Sequence, residues 1–569
     1  MIYKIYHTKK NTMKKMKFIS AISMLLISTS LIAQTTLIKN VNGYTFIDKS
    51  LKQFSAISFT HDTINKVYLQ GEVLETPTDT IVINGQGRTM LPGLIDAHGH
   101  VLGYGHSLLR VDLVNTASEL DAVNRTISYA KHNDSLSWIQ GRGWNQVQWS
   151  NNSYPNAKSL DEAFPNKPVW LRRVDGHAGW ANSKAMALAG ITSASKSPAG
   201  GEIIKDKNGQ PTGIFIDNAM DLIIASITQP SLTEDKIALT RAMQSLASLG
   251  LTSVHDAGIE QKNIDLYKSL ASENNMTIRI NGMLYLPSPN WQQQLEQGPY
   301  KTTDEMFVMH SVKIQADGAL GSRGASLIND YSDHSGHKGL LLHDNKMLQQ
   351  YIDFSMNAGF QVNTHAIGDN ANKLILDLYQ QAINKSKTKV LRHRIEHAQV
   401  LRLEDIPRFS SLNVIASMQA THATSDKNMA VTRLGTERIL GAYAWRKLLD
   451  SNATIAAGSD FPVESPNPFH GLHASITRQD HKDLPLGGWY ADQKMTRTEA
   501  LRSFTLDAAY AGHQEKIIGS LEAGKKADFI LLANDILTMP ENNIWQQQVL
   551  QTWVAGKKVF SATDVSITK

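Results

Sequence analysis

LPGLIDAHGHVLGYG, from Leu91 to Gly105, is the stretch from which the fold of this chain can be read. An apolar run ending at Ile95 leads into His98 and His100. Residues i and i+2 of a strand point to one face, so two imidazoles at the end of a buried strand can reach the same metal ion. A single His-x-His also arises by chance in an ordinary strand, so the reading depends on company.

Four later segments have the same form, an apolar run followed at its C-terminal end by a polar residue able to hold a metal. They are HSVKIQADGALGSR with Lys313, FQVNTHAIGD with His365, LRHRIEHAQV with His397, and TIAAGSDFPVE with Asp460. A parallel barrel gathers such residues, because the loops after all its strands meet at the C-terminal face. LTSVHDAG from Leu251, IRINGMLY from Ile278 and NVIASMQA from Asn413 complete a set of eight strands. Amphipathic patterns such as KMLQQYIDFSMNAG and ANKLILDLYQQAINK lie between most of them. Alternating strands and helices predict an α/β fold, a (β/α)8 TIM barrel over residues 92–512.

The distance from the first strand to the second is too long for a loop, which predicts an inserted subdomain from about Asn115 to Ser245. Residues 36–91 and 513–569 both alternate short apolar runs with Gly, Asn and Asp turns, the pattern of small antiparallel strands. The stretch from Met13 to Gln34 has a basic start, an apolar middle and a small residue near its end. That is the layout of a signal peptide over residues 1–33, with cleavage expected near Ala33 and Met13 as a candidate start. No other stretch is apolar enough to span a bilayer, so stable membrane insertion after cleavage is not expected. The formal charge of +5 is scattered, which argues against nucleic acid as a partner, and the absence of cysteine excludes disulfides. An exported protein, periplasmic or secreted, is the expectation.

With these motifs in place, the chain resembles the amidohydrolase superfamily, and more narrowly the amidohydrolase 3 family of N-substituted formamide deformylase-like enzymes. The resemblance is carried by PGLIDAHGH, GRGWNQVQW (Gly141 to Trp149), RVDGHAGWANSKA (Arg173 to Ala185), GGEIIKDKNGQPTG, VKIQADGALGSR, NTHAIGDNAN, RIEHAQ, SMQATHATSD, GAYAWRKLL, GSDFPVE and GSLEAGKKADFILL, in the family's order from about Asn40 to Phe560. It implies that the two chain ends form a small discontinuous β-sandwich and that the insertion lies over the active-site mouth. It also implies two divalent metal ions: His98, His100 and Asp460 on the more buried one, His365 and His397 on the other, and Lys313 bridging both as a carbamate. The mixed N and O ligands suit two zinc ions per chain, with Mn, Fe, Co or Ni as alternatives. Lys313 has a simpler alternative, an ion pair with Asp317 or Asp256.

Asp460 is the expected general base and then general acid. His177 is a candidate for holding the substrate oxygen, or a turn residue. Arg323 is a candidate partner of a substrate carboxylate or carbonyl, or of Asp317. Trp144, Trp149 and Trp180 either line an apolar pocket or form core. Gln419, His422 and Asp426 fall on the correct rim without separate roles, and His255 and His393 read as structural or supporting. His106, His334, His337, His470, His473 and His513 have no role that the sequence argues. The implied reaction is hydrolysis of a non-peptide C–N bond in an amide, N-formyl compound or cyclic amide of small-molecule size. Deamination and ester or carbamate hydrolysis use the same metals, and an exported non-catalytic binding protein is the reading from another class. A homodimer is a candidate assembly.

Overall fold

Eight strands pair in parallel and in chain order: β1 (Leu94–Gly99), β2 (Leu251–Ile259), β3 (Arg279–Leu286), β4 (Phe307–Gln315), β5 (Gln361–Ala366), β6 (Arg394–His397), β7 (Ile415–Gln419) and β8 (Ile455–Gly458). This computed structural model describes residues 34–75, 79–146, 149–173, 178–198, 201–321, 323–386 and 391–562. The signal-like segment and His177 lie outside the described residues.

The strands are buried on both faces, as a parallel sheet wrapped by helices requires, which is why they read as near-continuous apolar runs. The circle closes from β8 to β1. The amide of Asp460 donates to the His98 carbonyl at 2.7 Å, and buried Asp96 accepts from the Ser459 amide at 3.1 Å and its hydroxyl at 2.6 Å. Gly458 permits this approach, because a Cβ there would stand 2.6 Å from the His98 nitrogen. Outside, the helix Asn345–Asn357 is capped by the Asp344 carboxylate and turns Leu348, Tyr351, Ile352 and Met356 inward. The helix Asp369–Lys385 buries Ile375, Leu376 and Tyr379 in the same way. The architecture is the (β/α)8 barrel.

Both chain ends contribute to one further sheet of eight strands. Thr89–Pro92, just before β1, pairs antiparallel with Phe529–Leu532, which in turn pairs with Val549–Val554. Arg279, at the start of β3 and 1% exposed, joins this sheet to the barrel. Its guanidinium donates to both oxygens of buried Asp528, at 2.7 and 3.1 Å, and to the carbonyls of Asp304 and Glu305.

Between β1 and β2 the chain makes the helix Val101–Leu108 and then a mixed sheet of six strands, from Val111–Asp112 to Pro211–Asp217 in the chain. Trp144, Trp149 and Trp180 belong to the core of that sheet, their indole N–H groups donating to the carbonyls of Leu171, Thr116 and Asn156. The helix Leu232–Ser248 then leads back, capped reciprocally by Ser231 and Glu234, with Leu239, Met243 and Leu246 in the main barrel core. Among the described residues no helix is long and apolar enough to cross a membrane.

Candidate metal centre

The strand ends bring His98, His100, Lys313, His365, His397 and Asp460 to one rim. Asp460 stands in the middle. Its Oδ1 lies 3.0 Å from His100 Nε2 and 3.5 Å from His98 Nε2, and its Oδ2 lies 3.7 Å from His422 Nε2. Two sets of ligand atoms therefore cluster within 4.8 Å, one from His98, His100 and Asp460, the other from His397, His422 and Asp460. His365 belongs to neither set, though its ring centroid is 4.5 Å from that of His397. At two of these positions the backbone is left-handed, with φ of 74° at His397 and 61° at Asp460.

Burial, then the field of Lys313, holds the His98 imidazole down at about 4 and that of His365 at about 3, and burial sets His397 well below its ordinary value. All three are neutral near pH 7, the form that ligates. For Asp460, burial opposes ionisation, but the hydrogen bond to His100 and the fields of His98, His397 and His422 outweigh it, so its carboxyl lies far below the usual range. The Nε2 atoms of His365 and His422 are buried with no hydrogen-bond partner. Leaving such atoms dry and unpaired costs about 1–3 kcal/mol each. Imidazole nitrogens without hydrogen-bond partners around an ionised carboxylate are a donor set that fits a divalent metal ion.

Lys313 is buried, and burial pushes its amine down to about 8. Its Nζ lies 3.1 Å from His98 Nε2. Neither carboxylate offered by the sequence pairs with it. Asp317 accepts backbone N–H groups from Ser326, Ile367 and Gly368, at 2.8 to 2.9 Å, and Asp256 accepts from the Val101 amide and the Tyr267 hydroxyl. Arg323 does not pair with Asp317: its guanidinium holds Asp333, at 2.8 and 3.1 Å, and Asp333 is also held by Arg433. Asp317 is spent on amides of the same loop system, so it has no room for that arginine.

Two supporting residues, Glu396 and Arg394, escaped the sequence reading, and a third, Gln419, was placed on the rim without a role. Glu396, fully buried, accepts from His98 Nδ1 and is gripped by Arg394 through Nε at 2.8 Å and Nη2 at 3.0 Å. Arg394 also donates to His255 Nδ1, the Ala97 carbonyl and the Ser417 hydroxyl. This fixes the His98 tautomer with Nε2 aimed at Asp460, a carboxylate–histidine support of the kind metal sites use. Gln419 Oε1 does the same for His397 Nδ1 at 2.7 Å. The signal for Glu396 was present: Arg and Glu two apart in an otherwise apolar buried strand must pair. His393 accepts the Val362 amide and is structural.

A sequence model of the Amidohydrolase family matches residues 82–560. The chain is 34% identical over 499 residues to Protein LONG AFTER FAR-RED 3 of Arabidopsis thaliana, covering 84% of each. It is 26% identical over 500 residues to the N-substituted formamide deformylase of Arthrobacter pascens, covering 85% of this chain and 91% of that one. Among solved structures, an uncharacterized metal-dependent hydrolase from Pyrococcus horikoshii OT3 superposes with a TM-score of 0.70 at 26% identity, covering 89% of this chain and 99% of the other.

Proposed function

Since the chain belongs to the amidohydrolase family, we propose that it is a metal-dependent hydrolase cleaving a non-peptide C–N bond in an amide, N-formyl compound or cyclic amide. The observation that carries this is the sharing of one ionised carboxylate, Asp460, between two groups of histidines. Similarity to a formamide deformylase over most of both chains favours the C–N bond.

His98, His100 and Asp460 would hold one divalent ion, and His365, His397 and His422 supply nitrogens for a second. Zinc suits these donors. Lys313 is the proposed bridge: with its amine depressed and no carboxylate partner, the neutral form adds to CO₂, releasing a proton and leaving an anionic carbamate. Bound at this rim, divalent ions supply a water of lowered pKa and polarise the scissile carbonyl.

The protein's own groups do the rest. Asp460 accepts the proton of the attacking water on its carboxylate and returns it to the departing amine. Glu396 and Gln419 keep His98 and His397 in the tautomer that presents Nε2, so no reorganisation is needed as charge develops. His177, in the insertion, is proposed to donate to the substrate oxygen. The segment from Met13 to Gln34 supports an exported enzyme.

The test is turnover by protein stripped with a chelator and reconstituted with zinc and bicarbonate, against N-formyl amines, amides, cyclic amides, aminated heterocycles and esters. We expect metal-dependent release of an amine and a carboxylate, with about two metal equivalents per chain. Ammonia from the heterocycles alone would make it a deaminase, and a fully metallated chain inert toward the whole panel would favour a binding protein.

A further inference from the structure

The strand ends around the proposed metals leave one sector open. β1, β4, β5, β6, β7 and β8 carry or lead into His98 and His100, Lys313, His365, His397, His422 and Asp460, while β2 and β3 carry none of that set. β2 and β3 pair with each other, and β3 pairs with the strand of Lys313. A substrate has to meet the metals from a sector that their ligands do not fill, and this one borders the proposed bridge. β2 is bulged at its end: Ala257 pairs with Met283 and Ile259 with Leu284, so Gly258 stands opposite no residue of β3. Gly258 takes φ of 94°, the left-handed region that favours glycine, and a Cβ there would stand 3.4 Å from Tyr285 Cδ2 and 3.8 Å from Lys313 Cγ. The ring of Tyr285 and the stem of Lys313 therefore flank the same point, beside a bulge of the kind that re-aims side chains next to active sites.

Tyr285 faces the inside of the barrel. It pairs in register with Lys313, and paired residues of neighbouring strands point to the same face. Leu284 and Leu286, which alternate with it, belong to the main hydrophobic core instead. β3 is otherwise buried throughout, and Tyr285 is its one partly exposed residue, so the side chain opens onto the rim. Among the described residues its hydroxyl makes no hydrogen bond, whereas those of Tyr267, Tyr331 and Tyr379 donate to Asp256 and to the carbonyls of Ala325 and Val362. Those three phenols are spent on the fold. That of Tyr285 keeps its donor.

We propose that Tyr285 is a further catalytic residue, its phenol O–H donating a hydrogen bond to the acyl oxygen of the substrate as negative charge develops there. The inference rests on the hydrolase reading above. The phenol keeps its proton throughout, so it stabilises the oxygen without entering the transfer between Asp460 and the departing amine. The barrel thus supplies a donor of its own, beside the one proposed for His177 in the insertion. Gly258 is what makes room for it, since any side chain there would press on the ring.

The experiment compares zinc-loaded, full-length wild type with Tyr285→Phe, which removes one oxygen and keeps the ring. Three quantities are read: bound zinc, kcat and KM on the acyl compound that the panel above shows to be cleaved, and calorimetric affinity for dimethylphosphinate. The tetrahedral PO₂ group of that probe mimics the attacked acyl carbon and its oxyanion. Tyr285→Phe should keep its zinc and its KM, lose about 10²–10³-fold in kcat, and bind the phosphinate about tenfold more weakly. Wild-type kcat in the variant would overturn the inference, and so would equal phosphinate affinity. A loss of zinc that accounts for the loss of rate would overturn it too, because the phenol would then serve Lys313 or the metals. Phosphinate binding needs no turnover, which separates the two readings. A wild type that cleaves nothing yet loses phosphinate affinity with Tyr285→Phe fails as a hydrolase and keeps the donor.

Discussion

At the start of β3, Arg279 and Asp528 are buried side by side, and each polar atom is used: the guanidinium on two carboxylate oxygens and two carbonyls, the carboxylate also on the Ala555 amide. At the other end of the same barrel, His365 and His422 bury Nε2 atoms that make no hydrogen bond, and Lys313 points its amine at a neighbouring imidazole rather than at an acid. A fully paired buried charge is structure, since the fold alone repays its desolvation. A buried nitrogen without a hydrogen bond keeps its lone pair available, and at the rim that suits the proposed metal.

The contrast breaks first at Asp460. Asp460→Asn should lower kcat by about 10²–10⁴-fold with little change in KM, because it removes the proton carrier more than the binding site. Near-native turnover with metal still bound would remove Asp460 from its catalytic role. The mirror experiment is Asp528→Ala, which leaves Arg279 buried and uncompensated. It should cost about 3–5 kcal/mol of stability in denaturant unfolding while the folded fraction keeps its specific activity. If it instead cut activity without lowering stability, the division between the two ends would collapse.

A subtler probe lies between the two cases, at Glu396, which is paired as fully as Asp528 yet touches a ligand. Glu396→Gln should weaken metal affinity or activity about 10–100-fold, measured by metal titration and by turnover after reloading. An effect on stability alone would class the Glu396–Arg394 pair with Arg279–Asp528.

The barrel and most of its rim were legible because each ligand follows a buried strand, and a run such as FQVNTHAIGD states both facts in one line. Lys313, His365, His397 and Asp460 could be found that way. His422 could be placed on the rim but given no role: it sits on the helix Ala420–Asp426 just after β7, and the pairing of β7 with β8 brings Asp460 within reach of it. Arg323 misled because its nearest acid in sequence, Asp317, is consumed by three backbone amides, while its actual partner, Asp333, depends on how the loop after β4 folds back. The three tryptophans of the insertion read equally as pocket or core, and it is their packing in the six-stranded sheet that makes them core.

The sheet built from both ends of the chain sets the order of assembly during synthesis. Thr89–Pro92 is buried along its whole length, yet its partner Phe529–Leu532 leaves the ribosome only after every barrel strand. Until then Thr89–Pro92 is paired only on the side of Thr35–Ile47 and leaves its other, apolar edge open, the kind of exposed strand edge that invites pairing with another chain. The last residues made are therefore the ones that end this vulnerability, and a nascent chain stopped short of Phe529 would be an aggregation hazard even with its barrel complete.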